Sequence, residues 1–320
     1  MDDISAKPSP SSPDLTIIGD LAVDMVMGSL AQWPQIGTET LMPHSEMRAG
    51  GSAGNAALAL RYLNAPARLI SAVGSDALGQ WLADQFAGDG LITVSGPTSL
   101  SVGILHDGGE RSFFTTRGHM ELQAPPASLP PPPHPAAVVL LTGVFLLPRL
   151  RAVYGELIHD LKALGYRVAL DTGWPPGGWD ASATADVKSW LGACDHVLLN
   201  ELEITQLAGT ADLNTAMVRI SALMPPEATL VAKVGARGAV GWCGREIARA
   251  KPPQSDTIID TIGAGDAFNA GYLLARTQGA DLRDALVMGS DTATRIIAHF
   301  PRQPVRTAAT AKPATIMAAS

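Results

Sequence analysis

Short apolar runs alternate along the chain with longer segments of helical composition. The run Leu15–Ile18 ends at Gly19-Asp20, which is the pattern of a buried strand followed by a tight turn. Further strands are predicted at 67–73, 138–141, 167–170, 196–199 and 229–234, and helices at 57–63, 77–86 and 150–164. Strands that alternate with helices predict a parallel sheet with helices on both faces. The predicted fold class is therefore α/β.

Two segments break this alternation. Residues 101–116 place β-prone runs on either side of Asp107-Gly108-Gly109, a hairpin signal, and residues 21–47 contain no clear long helix. Together they predict a small, antiparallel sheet that projects from the main domain. We expect one domain over residues 14–306, with inserted segments at about 22–47 and 98–118, and flexible tails at 1–13 and 307–320.

Composition and charge exclude several functional classes for this chain. Of the 320 residues 46% are hydrophobic and only 17% are charged, so the chain can bury one large core. The net charge of -7 argues against binding to nucleic acid, and the longest apolar run, 136–147, is too short to cross a bilayer. No secretory signal is recognisable, and Cys194 and Cys243 give neither a disulfide framework nor metal-ligand spacing. We therefore expect a cytoplasmic location without membrane or nucleic-acid partners.

Residues 260–272, which read DTIGAGDAFNAGY, hold the most informative candidate chemistry. Two glycines precede a run of helix formers at 267–276, so backbone N–H groups at this helix start would form an anion hole. These groups belong to Gly263, Ala264 and Gly265. Asp266, at the same helix start, could accept a proton from a substrate hydroxyl, which is the layout that phosphoryl transfer needs. The alternative, that Asp266 only caps a helix, stays open on this segment alone.

A second glycine motif, RAGGSAGNAA, spans residues 48–57. Gly50 and Gly51 let the backbone approach a ligand, and Asn55 offers both a donor and an acceptor to hydroxyl groups, which suits a polyol. The spacing matches neither a dinucleotide fingerprint nor a P-loop. A tight turn before a helix is the alternative.

Together the two motifs resemble the paired signatures of the PfkB, or ribokinase, family of carbohydrate kinases. That family carries Gly-Gly-x-x-x-Asn-x-Ala near the N-terminus and Asp-Thr-x-Gly-Ala-Gly-Asp-x-Phe near the C-terminus. The segments NELE at 200–203 and KVGARG at 233–238 are similar to its metal-phosphate and nucleotide elements. Further matches at 19–24, 38–39 and 73–76 follow in family order, so the resemblance runs from about residue 15 to 297.

The resemblance implies a doubly wound, mostly parallel sheet with a small β-sheet lid, ATP as phosphoryl donor and Mg²⁺ as bridging ion. It makes Asp266 the general base and residues 263–265 the anion hole. The implied substrate-binding residues are Asp24, Gly50, Gly51 and Asn55. The implied nucleotide-binding residues are Asn200, Lys233, Gly235, Arg237 and Gly238. Glu203 would act on Mg²⁺ through water, or be only a first-turn acid, and Asp260 stands where K⁺ would bind.

Two departures from the family pattern leave the substrate open. Ala22 occupies a position that is Asn in ribose-specific relatives, and residues 295–302 lack the glycine of a cation-binding loop, so K⁺ dependence is unsettled. The leading prediction is a kinase that acts on a hydroxyl of a sugar, sugar acid or nucleoside. For a nucleoside, the lid residues Phe113, Phe114 or Met120 could stack the base.

Three other expectations concern the lid and the class of function. Arg111 and Arg117 flank a lid strand and would either touch a substrate or be solvated strand charges. An exposed lid edge predicts a homodimer in which two lids pair. A non-catalytic regulator that binds nucleotide or sugar is the alternative from another class, and Asp266 argues against it because a sensor needs no base.

Overall fold

A nine-stranded sheet runs through the computed structural model, which describes residues 14–86, 90–107, 111–255 and 258–298. In chain order the strands of the protein are β1 (Leu15–Ile18), β2 (Ala22–Leu30), β3 (His44–Gly50), β4 (Ala67–Gly74), β5 (Leu91–Val94), β6 (Leu100–His106), β7 (Arg111–Thr116), β8 (Val138–Thr142), β9 (Arg167–Asp171), β10 (His196–Asn200), β11 (Thr229–Lys233), β12 (Ala239–Cys243) and β13 (Glu246–Ala250). The order in the large sheet is β13-β12-β11-β10-β9-β8-β1-β4-β5. All its neighbours are parallel except β11-β12 and β12-β13.

Helices cover both faces of this sheet. They are α1 (Ser52–Tyr62), α2 (Ala77–Gln85), α3 (Pro148–Ala152), α4 (Tyr154–Leu164), α5 (Ala181–Leu191), α6 (Glu201–Ala208), α7 (Leu213–Ser221), α8 (Ala264–Thr277) and α9 (Leu282–Ile297). One core packs the sheet against α3 to α7 and the other against α1, α2, α8 and α9. Along β8, Val139 and Leu141 enter the first core, and Val138 and Leu140 enter the second. The doubly wound α/β prediction is confirmed.

The six strands predicted from apolar runs are present, but two predicted helices differ from the structure. The first begins at Ser52 rather than at 57, because Gly51 adopts a φ of 81° and turns the chain from β3 straight into the helix. The helix predicted over 150–164 is two helices, α3 and α4, because Val153 leaves helical geometry (φ -119°, ψ 15°). Among the described residues, no helix is both long and apolar enough to cross a membrane.

The lid is a four-stranded sheet of order β3-β2-β6-β7. It is mixed rather than antiparallel: β2 pairs antiparallel with β3 but parallel with β6, and β7 pairs antiparallel with β6. The parallel pair forms because the chain returns to the main domain between β2 and β6, which supplies the long crossover that parallel neighbours require. The predicted Gly108-Gly109 turn and both predicted tails lie outside the described residues.

One face of the lid, called here the inner face, lies toward the start of α8. The register places Asp24 opposite Arg48 and Ser101, and two residues further along places Val26 opposite Glu46. Arg48 and Arg111 reach from this face to residues 260–261 of the main domain. Because side chains alternate along a strand, the inner face carries Asp24, Val26, Glu46, Arg48, Ser101, Arg111, Phe113 and Thr115.

Candidate active site

Three polar residues end three neighbouring strands of the large sheet. Asp171 is the last residue of β9, Asn200 of β10 and Lys233 of β11. Asn200 and Lys233 stand side by side in the register. Ligands of open α/β sheets bind outside the carboxyl ends of the strands. This edge of the sheet is therefore the expected position of a binding cleft.

Helix α8 begins at this edge with the predicted glycine turn. Gly263, at the N-cap, has a φ of 72°, and the helix starts at Ala264. The Ala264 N–H donates to Thr261 O at a long 3.3 Å, and the first turn offers no intrahelical acceptor to the N–H groups of Gly265 and Asp266. The predicted helix start is confirmed, and its N–H groups and positive dipole end suit an anion.

Asp266 lies in this first turn, where its side chain does not cap the helix. Instead, Asn55 Nδ2 of α1 donates to Asp266 Oδ2 at 2.9 Å, which joins the two predicted motifs across 211 residues of sequence. The pKa of Asp266 is raised to about 8, chiefly by burial and also by the Asp171 carboxylate, while the hydrogen bond from Asn55 and the charge of Lys233 oppose the shift. A carboxyl group with such a pKa can take up and release a proton near neutral pH.

A buried ion pair lies beneath the start of α8. Lys233 Nζ is 2.6 Å from Asp171 Oδ2 and donates to Asn269 Oδ1 at 3.2 Å, while Asn269 Nδ2 donates to the same Asp171 oxygen. Lys233 Nζ is also only 3.4 Å from the position that a Cβ on Gly265 would take. Burial lowers the pKa of Lys233, but the carboxylates of Asp171 and Glu203 outweigh it and raise the pKa. The lysine therefore keeps its positive charge directly below the first turn of α8.

Glu203 and Asn200 form a capping box at the start of α6. Glu203 N donates to Asn200 Oδ1, and Asn200 N donates to Glu203 Oε2, both at 2.8 Å. The pKa of Glu203 is raised to about 7 by burial and by the Asp171 carboxylate, against the opposing effects of Lys233 and the Asn200 N–H. Glu203 therefore has a structural role as a capping acid of α6, and this role keeps its carboxyl group near Asp171 and Lys233.

The remaining residues of the expected nucleotide group lie in the turn after β11. Gly235 and Arg237 form a short 3₁₀ helix, and Arg237 is exposed and pairs with Glu201 at the start of α6. Gly238 has a φ of 93°, and a Cβ there would lie 2.0 Å from Ala250 O. Lys233 therefore points into the protein, whereas Arg237 lies at the surface beside α6. The two basic side chains do not point toward the same position.

The expected substrate residues come together where the lid joins α1. A Cβ on Gly50 would lie 2.0 Å from Asp24 Oδ2, so only a glycine lets the Asp24 carboxyl group lie there. Asp20 Oδ1 accepts the Ser52 N–H at 3.1 Å, which fixes the turn at Gly51. The pKa of Asp24 is raised to about 7, chiefly by burial; Arg48 opposes this shift, and the carboxylates of Asp20 and Asp260 add to it.

Asp260, where the resemblance implies K⁺, has protein partners for both carboxylate oxygens. Its Oδ2 accepts from Arg48 Nη1 at 3.1 Å, and its Oδ1 accepts the Ile262 N–H at 2.8 Å. The carboxylate is thus already paired with a guanidinium, which supplies the positive charge that a cation would bring.

Four polar residues in or beside the site did not stand out in the sequence. They are Asp20, Arg48, Asp171 and Asn269. Of these, Asp171 could have been found from the sequence. It directly follows a predicted strand, and ligands of α/β sheets bind at the carboxyl ends of the strands. Trp174 and Trp179 follow Asp171 in the chain. Their rings contact each other edge to face with centroids 6.3 Å apart, so they pack locally in this turn.

The three apolar residues expected to line the lid differ in position. Phe113 is on the inner face, where its ring lies over Gly103, and it is 43% exposed. Phe114 is on the opposite face and packs edge to face against Trp33 with centroids 5.9 Å apart. Met120 is fully buried in the core, so the expectation that it lines a pocket is wrong.

Comparison with known proteins agrees with this architecture. The Arabidopsis thaliana ribokinase complexed with ribose and ATP superposes with a TM-score of 0.74 at 21% identity, over 92% of this chain and 96% of that one. A fructokinase of Klebsiella pneumoniae is 26% identical over 271 residues, which are 80% of this chain and 82% of the relative. A nucleoside kinase of Methanothermobacter thermautotrophicus is 25% identical over 294 residues, 89% of each chain.

The family model described as pfkB family carbohydrate kinase matches residues 13–303, which is nearly the whole chain. Its span includes both glycine motifs, the capping box of α6 and the buried ion pair at the strand ends. The protein belongs to the pfkB family of carbohydrate kinases.

Proposed function

We propose that the protein transfers the γ-phosphoryl group of ATP to a hydroxyl group of a sugar or sugar derivative. The observation that carries this proposal is the Asn55–Asp266 hydrogen bond, which sets a carboxyl group with a pKa of about 8 at the open N-terminus of α8. Phosphoryl transfer depends mainly on positioning and charge stabilisation, and both elements are present here. The ribokinase with a similar fold is complexed with ribose and ATP, which supports the choice of ligands.

Each element has its own part in the transfer. Asp266, once ionised, accepts the proton of the attacking hydroxyl group, and Asn55 keeps its carboxyl group oriented. The first-turn N–H groups of α8 and the Lys233 ammonium below them stabilise negative charge on the transferred group. Asp24 and the backbone at Gly50 bind hydroxyl groups of the acceptor, and residues 235–238 lie along the nucleotide.

Mg²⁺ is implied by the family, and the polar residues of the site fit an indirect role for it. Among the described residues, no group of three His, Cys, Asp or Glu side chains could bind a metal directly. Glu203 is buried near Asp171 and uses one oxygen in its capping box, so it would act on Mg²⁺ through water. When bound with ATP, Mg²⁺ would neutralise charge on the phosphate groups.

A nucleoside acceptor is the second candidate, and Phe113 is the observation that favours it. Its ring is half-exposed on the inner face of the lid, on the same side as Asp24, where it could stack on a base. Nucleoside kinases are also among the relatives. The same ring could pack on the apolar face of a sugar, and turnover on a nucleoside rather than on a sugar distinguishes the two candidates.

The test is ADP release from Mg-ATP over a panel of hexoses, pentoses, sugar acids, sugar phosphates and nucleosides. We expect at least one acceptor to stimulate ADP release well above the rate without acceptor, and the product to contain a phosphate ester. ATP binding without turnover on any acceptor, under conditions where a related kinase is active, would contradict the proposal and favour a non-catalytic regulator.

We also propose that the protein is a homodimer that pairs through the lid. The face of the lid opposite the inner face is apolar and exposed at Met47 and Phe114, with the exposed Trp33 packed against Phe114, and a second copy could cover it. Because β3 and β7 are the edge strands of the lid, two lids could pair at an edge or pack face to face.

A further inference from the structure

Asp171, Lys233 and Asn269 form a closed hydrogen-bonded network beneath the start of α8. Lys233 Nζ donates to Asp171 Oδ2 at 2.6 Å and to Asn269 Oδ1 at 3.2 Å, and Asn269 Nδ2 donates to Asp171 Oδ2. Asp171 Oδ1 accepts the Gly173 N–H at 3.1 Å, so both oxygens of this carboxylate have donors. Each of the three side chains is bonded to the other two, so none can rotate without breaking a bond.

The network is attached to the part of α8 that carries the proposed chemistry. Asn269 follows Gly265 by four residues and Asp266 by three, so the three residues lie on one side of the helix, in successive turns. Lys233 Nζ lies only 3.4 Å from the position that a Cβ on Gly265 would take. The ends of β9 and β11 thus hold the first turn of α8 from below, through Asp171 and Lys233.

The three members differ in their access to the cleft. Of the Lys233 side chain 12% is exposed, against 6% for Asp171, and Asn269 is fully buried. The network uses two of the three N–H groups of the Lys233 ammonium, and the third has no acceptor within the part of the chain that the structure describes. Lys233 is therefore the member that can contact the transferred group, and Asp171 and Asn269 act through it.

The charges of the network also act on Asp266. Asp171 and Asp20 favour the protonated form of the Asp266 carboxyl group, whereas Lys233 and the hydrogen bond from Asn55 favour its ionised form. The elements around α8 carry further charged groups, which the variants below leave in place: Asp24, Glu46, Arg48, Arg111, Glu203, Asp260, Asp291 and Arg295. Within the network, Asp171 and Lys233 thus have opposite effects on the pKa of Asp266.

We propose that Asp171 is a positioning residue for phosphoryl transfer, which fixes the Lys233 ammonium beneath the first turn of α8, where negative charge on the transferred group has to be stabilised. Asn269 completes the network and connects it to the helix. This inference rests on the proposed kinase function. It gives a part in the reaction to a buried carboxylate that acts through another residue.

The first test measures kcat, KM and the pH dependence of kcat/KM in Asp171→Asn. Because only Asn269 then holds the ammonium, we expect kcat to fall by about 10- to 100-fold, while the KM of the acceptor changes by less than about twofold. The acid limb of the profile should move to lower pH by at least about half a unit, because a charge that favours protonated Asp266 is removed. Asp186→Asn is the matched control, since it removes the carboxylate of another 2.6 Å ion pair, formed with Arg151 away from the cleft, and should change neither quantity.

Two further variants separate the effect of charge from a loss of structure. Lys233→Met removes a charge that favours ionised Asp266, so the acid limb should move to higher pH while kcat falls at least as far as in Asp171→Asn. Asn269→Ser removes no charge, so kcat should fall by about tenfold while the acid limb stays in place. A loss of structure alone lowers kcat without moving the limb in opposite directions.

Opposite shifts of the acid limb in Asp171→Asn and Lys233→Met, with a lower kcat in all three variants, would support the inference. A folded Asp171→Asn with the kcat of the unchanged protein overturns it, and so does a lower kcat with an unmoved limb in both charge variants. Should Asp171→Asn fail to fold, an unmoved limb in Lys233→Met or an unchanged kcat in Asn269→Ser overturns the inference. No turnover of the unchanged protein on any acceptor would instead remove the kinase function itself.

Discussion

The buried pair of Lys233 and Asp171 gives the sharpest prediction about stability. At 2.6 Å the Coulomb attraction is about 6 kcal/mol at an effective dielectric constant of 20, although desolvation offsets much of it. Removing one partner leaves the other charge buried, which costs about 3–5 kcal/mol. Lys233→Met should cost the most, because Asp171, Glu203 and Asp266 then face one another without a cation. We expect its Tm to fall by on the order of 10 °C.

Asp171→Asn should cost less, because Asn269 Oδ1 still accepts from Lys233 and the Glu203 carboxylate remains close. Denaturant unfolding of both single variants and the double variant measures the coupling, which we expect to be about 1–3 kcal/mol. Arg151→Met, which breaks a more exposed pair with Asp186, is the control and should cost less than about 1 kcal/mol. Strictly additive effects in the double variant would refute the reasoning that the two charges stabilise each other.

Three further predictions concern the site and the lid. Because Asp266 must be ionised to act as a base and has a pKa of about 8, kcat/KM should fall about tenfold per pH unit below pH 8 and level off above it; a flat profile from pH 6 to 8 would contradict this assignment. Gly50→Ala should raise the KM of the acceptor by at least about tenfold with little change in the KM of ATP, because the new Cβ displaces the Asp24 carboxyl group; an unchanged KM would show that Asp24 does not bind the acceptor. Light scattering should show that the unchanged protein is a dimer and that Phe114→Glu is a monomer. A monomer of the unchanged protein at micromolar concentration would contradict the proposed dimer interface at the lid.

Much of the main sheet could be predicted because its signals are local. A buried parallel strand is a short apolar run bounded by turn residues, and Leu15–Ile18 and Val138–Thr142 are of this kind. The hairpin of β12 and β13 was missed, since β13 reads Glu-Ile-Ala-Arg-Ala and two of these residue types are depleted in strands. It forms because Gly244, with a φ of 58°, closes a two-residue turn and sets the register.

The sequence predicts the motifs that contribute residues to the candidate site, but not the contacts between those residues. The sequence indicates Asn55 and Asp266 separately, but only the fold shows their hydrogen bond. The pairing of Arg48 with Asp260 spans 212 residues, and neither residue carries a local signal for the other. The ion pair of Lys233 with Asp171 joins the ends of two strands that are 62 residues apart in sequence, and no local pattern indicates it. Such contacts depend on strand order, which local patterns do not contain.

The role of Asp266 as the base is tested most directly by the rate of ADP release with the best acceptor in Asp266→Asn. Asp284→Asn is the control, since Asp284 is an exposed first-turn acid in the next helix, α9, and any effect through the helix dipole alone would be shared. We expect Asp266→Asn to lose at least about 100-fold in kcat with an unchanged fold, and Asp284→Asn to lose less than about twofold. An Asp266→Asn variant as active as the unchanged protein would contradict the mechanism.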